Sequence, residues 1–140
     1  GTQQDPYRYP NYLGQSFDTD HEGIGGIRSD QVLNNLDAVL SAIDTPDLAL
    51  IGIGGNDIFQ GYPASFIGHN LIGIIDKLQE NNPNITIIIE QIAGLGSGLN
   101  TPPIQETVES YHAIIEKVCA NSTNSSSKVM ITFQMHCTIM

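Results

Sequence analysis

Three apolar, strand-length runs with amphipathic helices between them predict a layered α/β domain built on a parallel sheet. The runs are Leu48–Ile53, Ile85–Ile92 and Val129–Met135, and the first carries no polar side chain on either face. Such a run suits a parallel strand covered on both sides. Helices alternating with these strands imply β-α-β connections of right-handed sense. With 140 residues and 40% hydrophobic content, the chain reads as one domain, residues 1–140, able to bury a core unaided.

Residues 1–26 are polar, dotted with aromatic rings and broken by Pro6, Pro10, Gly14, Gly23, Gly25 and Gly26, so an irregular segment is expected there. Within it Asp18, Asp20, His21 and Glu22 are cation-ligand types. Their spacing fits no calcium loop, so a solvated loop without metal is the expectation. Ser29 is expected to cap a first helix, with Asp30 at the positive end of its dipole. Val32, Leu33, Leu36, Val39, Leu40 and Ile43 give that helix one apolar stripe. Asp44-Thr45-Pro46 stops it and leads into the first strand.

Past that strand, Gly54-Gly55-Asn56-Asp57 lets the backbone turn sharply. Open α/β sheets place their chemistry just beyond the carboxyl end of a strand. The four residues alone leave an ordinary turn and an amide donor aimed into a cleft equally open. Gly61-Tyr62-Pro63 continues the loop, and a second helix is expected over Ser65–Glu80 with Phe66, Ile67, Leu71, Ile74, Ile75 and Leu78 inward. Gly68 and Gly73 weaken it by about 1 kcal/mol each relative to alanine. Asn81-Asn82-Pro83-Asn84 is a turn before the second strand, and residues 94–98 form a glycine-rich loop after it. A third helix over Pro103–Ala120 carries Ile104, Val108, Tyr111, Ile115 and Val118 on one stripe, with His112 off the stripe and facing solvent. Residues 121–127 are a polar loop before the last strand. The outline is flavodoxin-like, with about three strands.

Five basic against fifteen acidic residues give a net charge of -10, which opposes nucleic acid and anionic membrane as partners. No apolar run approaches bilayer length. Cys119 and Cys137 are expected as free, buried thiols, since two cysteines make no disulfide framework. Asn84-Ile85-Thr86, Asn121-Ser122-Thr123 and Asn124-Ser125-Ser126 are glycosylation sequons, the last two in a loop.

Two segments carry a resemblance. One is His21-Glu22-Gly23-Ile24-Gly25-Gly26-Ile27-Arg28-Ser29-Asp30-Gln31, and the other runs from Pro46-Asp47 through Gly54-Gly55-Asn56-Asp57-Ile58-Phe59-Gln60-Gly61. Together they resemble the second and third blocks of the SGNH (GDSL-type) hydrolases, and most nearly the family three carbohydrate esterases that deacetylate plant polysaccharide. Ile74-Ile75-Asp76-Lys77-Leu78 and Asn82-Pro83-Asn84-Ile85-Thr86 extend the likeness. Tyr7-Arg8-Tyr9-Pro10 is similar to the segment that follows the family's nucleophile.

The resemblance implies a three-layer α/β/α sheet, an acetylated carbohydrate or small ester as substrate, no cofactor and a secreted, extracellular setting. It also implies an acyl-transfer site in which a serine attacks an ester carbonyl and preorganised donors hold the oxygen that gains charge. Carried over, two of those donors are the Gly26 N–H and the Asn56 amide. The family's Gly-Asp-Ser block, expected upstream of Tyr7, and its Asp-x-x-His block, expected after the last strand, have no counterpart at those places in the chain. Gly14-Gln15-Ser16 imitates the first superficially, leaving Ser16 as a nucleophile candidate with no strand before it. His136 is a lone candidate base, with no aspartate three residues earlier. The expectation is therefore an esterase in fragmentary or degenerate form, lacking nucleophile and base. The alternative is a non-catalytic module of the same fold that binds a partner or associates with itself.

Overall fold

The computed structural model describes residue 14, residues 23–93, residue 98 and residues 100–132. Ser16, the acidic group Asp18, Asp20, His21 and Glu22, the irregular stretch up to residue 22 apart from Gly14, and His136 and Cys137 lie outside the described residues. The elements follow in the order α1 Ser29–Ala42, β1 Leu48–Ile51, α2 Gly55–Phe59, α3 Ala64–Asn81, β2 Thr86–Glu90, α4 Pro102–Ser122 and β3 Lys128–Thr132. No helix among the described residues is long and apolar enough to cross a membrane.

All three strands are parallel and lie in sequence order, β1-β2-β3. The register sets Ala49, Ile87 and Val129 in one row and Ile51, Ile89 and Ile131 in the next, on one face. That face is the core, with Ile51, Ile87, Ile89 and Val129 buried. Both crossovers step in the same direction along the sheet, so right-handed connections put α3 and α4 on this same face. Each buried isoleucine side chain contributes on the order of 1.5–3 kcal/mol.

The opposite face departs from the expected two-sided cover. Leu48 and Leu50 are 54% and 74% exposed, and Met130 is 44% exposed in the same row as Leu50. The described helices supply one layer, and β1 is the edge of the described sheet.

Helix packing explains two glycines that cost helix propensity. A Cβ on Gly68 would lie 2.6 Å from Ile114 Cγ2 of α4, and one on Gly73 would lie 3.0 Å from both Leu33 Cδ atoms of α1. These notches let α3 sit close between its two neighbours, which it contacts on either side. The lost propensity is offset by that close approach. On α1 the expected cap is displaced by one residue: Arg28 is the N-cap, its N–H donates to Gln31 Oε1 at 2.9 Å, and Ser29 is already helical and fully buried.

Candidate functional site

At the carboxyl end of β1 the chain passes through Gly54 in the left-handed region (φ 107°) and enters α2. A side chain there is excluded twice. Its Cβ would lie 3.0 Å from Tyr111 Cε1 and 3.2 Å from Ile67 Cγ2, and L residues avoid that backbone conformation. Where the sequence suggested a loop, Gly55–Phe59 is a one-turn helix. It presents Asn56 and Asp57, with its C-cap residue Gln60, to the start of α1 and the two residues before it.

Those three side chains hold three consecutive residues. Asn56 Nδ2 donates to the Ile27 carbonyl at 2.9 Å. Gln60 Oε1 accepts from Arg28 Nη1 at 3.2 Å. Asp57 accepts from the Ser29 N–H at 3.0 Å and from the Ser29 hydroxyl, with all of these Asp57 and Ser29 groups buried. Ile27 directly follows Gly26, whose φ of 76° belongs to the turn leading into α1. The Asn56 amide therefore reaches the residue next to Gly26, and both expected donors sit at one rim of the sheet.

Arg28 is held on several sides. Its guanidinium pairs with Asp30 at 3.0 Å and stands 5.2 Å over the Tyr62 ring, which stacks on Phe66 at 4.7 Å. The Asp30 hydrogen bond raises the Arg28 pKa and holds the Asp30 carboxyl below the usual range.

The same rim carries groups on α4 and β2. His112 is half-buried, not solvent-facing as its place off the apolar stripe suggested. Its Nε2 accepts the Ile92 N–H at 3.1 Å, which leaves the ring proton on Nδ1. Burial pushes the His112 pKa down, with Glu116 opposing. Glu90, the last residue of β2, lays its carboxylate over Gly52, where a Cβ would come within 2.9 Å of Oε2. Tyr111 is buried, and its Oη is the buried side-chain polar atom without a hydrogen-bond partner among the described residues. Burial drives its pKa well above the usual phenol value. Cys119 is a buried thiol with a pKa raised by burial.

Of the residues singled out in the sequence, Gly26 and Asn56 are brought to one place, while Ser16 and His136 lie outside the described residues. Among the described residues no group of three or more His, Cys, Asp or Glu side chains could hold a metal ion. Sequence reasoning missed the Asp57–Ser29 pair. Its one visible signal was a carboxylate two residues after a glycine pair at the end of an apolar strand.

Comparison with known proteins agrees with this architecture. The model of the GDSL-like Lipase/Acylhydrolase family matches residues 1–125. An arylesterase from Vibrio mimicus is 33% identical over 66 residues, spanning 46% of this chain and 33% of that protein. Among solved structures, a carbohydrate esterase family 3 protein from Talaromyces cellulolyticus superposes with a TM-score of 0.69 at 24% identity, over 82% of this chain and 53% of that one. A family 3 carbohydrate esterase from Clostridium thermocellum gives a TM-score of 0.62 at 26% identity, over 81% and 51%. The chain thus spans about half the length of these solved structures and a third of the arylesterase.

Proposed function

The chain belongs to the GDSL-like lipase/acylhydrolase family, and from that premise we propose that it supplies the oxyanion-holding part of a serine ester hydrolase acting on acetylated carbohydrate or a similar small ester. The observation that carries this reading is the Asn56 amide, fixed 2.9 Å from the Ile27 carbonyl beside Gly26. An ester carbonyl oxygen takes on charge when a serine hydroxyl adds to its carbon. Donors already held in place stabilise that charge without reorganising. In this role the Gly26 N–H and the Asn56 amide are two such donors, while nucleophile and base come from outside the described residues. The extracellular setting of such deacetylases is the setting proposed for this protein. The 140-residue chain on its own is expected not to hydrolyse p-nitrophenyl acetate above background. Turnover abolished by Ser16→Ala would instead make Ser16 the nucleophile. In the gene product that contains the chain, Asn56→Ala is expected to cut turnover of the same ester by about 100-fold, and an unchanged rate removes the reading.

A second reading, a non-catalytic module that associates with itself, is favoured by the exposed apolar side chains Leu48 and Leu50 on β1 and Met130 on β3, which share one sheet face. A monomer by light scattering at all concentrations, with no affinity for acetylated glycan, excludes it.

A further inference from the structure

One of the three contacts that Asn56, Asp57 and Gln60 make with residues 27–29 is unlike the other two. Arg28 and Gln60 meet at the surface, and Asn56 and Ile27 are part-buried, but Asp57 and Ser29 are both fully buried. Burial of an ionisable carboxylate is costly unless donors meet it. Here the Ser29 N–H lies 3.2 Å from Oδ1 and 3.0 Å from Oδ2, and the Ser29 hydroxyl donates to Oδ1. Asn70 of α3, itself 5% exposed, donates to Ser29 Oγ at 3.0 Å. The Ser29 proton is thereby directed at Asp57. The carboxylate also faces the first turn of a fourteen-residue helix, the positive end of its dipole.

We propose that Asp57 is a positioning residue for the ester-hydrolysing site, fixing the first turn of α1, and with it the Gly26 N–H, relative to the Asn56 amide. The proposal rests on the oxyanion reading of Gly26 and Asn56 given above. Asp57 and Asn56 are neighbours on one short helix, and Ser29 stands three residues after Gly26 in the segment they hold. A shift at the Asp57–Ser29 contact therefore displaces one donor against the other. The site demands two acceptor oxygens, because both Ser29 groups donate. An asparagine at 57 presents one acceptor and one amide that donates, so a donor would face a donor.

The test uses Asp57→Asn and Ser29→Ala in the 140-residue chain, read by 1H–15N spectra alongside thermal unfolding. Asp57→Asn is expected to move the Gly26 and Ile27 amide peaks and to speed exchange of the Asn56 side-chain amide by about tenfold or more. The Ile87 and Ile89 amides of the sheet stay where they are. Ser29→Ala gives a smaller change of the same kind, and decides the matter if Asp57→Asn does not fold. Unmoved Gly26 and Asn56 signals in either folded variant overturn the proposal. Where the gene product hydrolyses p-nitrophenyl acetate, Asp57→Asn should lower kcat by about tenfold with KM within about twofold, and an unchanged kcat overturns the positioning role. Absence of turnover by the unsubstituted gene product counts against the hydrolase reading alone, and the spectra still decide whether Asp57 sets the spacing.

Discussion

Gly54 and Tyr111 meet with no room for a side chain between them: a Cβ on Gly54 would stand 3.0 Å from the ring edge. The glycine is held in the left-handed region at the mouth of α2, and the ring is fully buried beneath it. Gly54→Ala should therefore destabilise the chain by roughly 2–4 kcal/mol, combining backbone strain with overpacking. Urea unfolding measures this; a loss under about 0.5 kcal/mol, the size of an ordinary surface substitution, contradicts the stated contact.

His112 makes the rim sensitive to acid. Its Nε2 must be unprotonated to accept the Ile92 N–H, and burial lowers its folded pKa. A group whose folded pKa is depressed binds more protons when unfolded, so stability falls as pH drops below the ordinary histidine value of about 6.5. Above that value the contribution is fully present. Thermal midpoints at pH 8 and pH 5 should separate more for the native chain than for His112→Gln. His112→Gln should itself cost about 1 kcal/mol at pH 8, the worth of the lost bond.

Leu50, exposed on the second face of the described sheet, makes a contrary prediction. Leu50→Glu removes an apolar side chain that is already mostly in water, so stability should stay within about 0.5 kcal/mol. Under the self-association reading the same change weakens concentration-dependent assembly, measured by sedimentation velocity. A loss of several kcal/mol would mean that Leu50 is covered within the folded chain, as a core leucine is.

Apolar rhythm made the helices and strands legible, since residues such as Leu71, Ile75 and Leu78 must share one side of a helix to be buried together. The first two strands read long by a few residues, because Ile53 and Ile92 are apolar but follow the last ladder partners, while residues 133–135 of the expected third strand lie outside the described residues. The exposure of Leu48 and Leu50 was not legible: alternation reports which side chains are apolar, not whether a second layer is present to cover them. The Asp57–Ser29 bond escaped for a different reason. The partners are 28 residues apart, and no periodicity announces a buried polar pair. His112 was misplaced because its value to the fold is a single hydrogen bond to a backbone N–H, not burial on a stripe.

The Asn56 amide already spends a hydrogen on the Ile27 carbonyl. In the proposed role, that bond is a mooring: it fixes the side chain while the second hydrogen of the same nitrogen stays available to a guest oxygen. A neutral ester carbonyl draws an ordinary bond from it, whereas an oxygen bearing full negative charge binds roughly twice as strongly. The moored amide thus favours the charged species formed along the way over the resting substrate, with nothing left to rearrange when that charge appears.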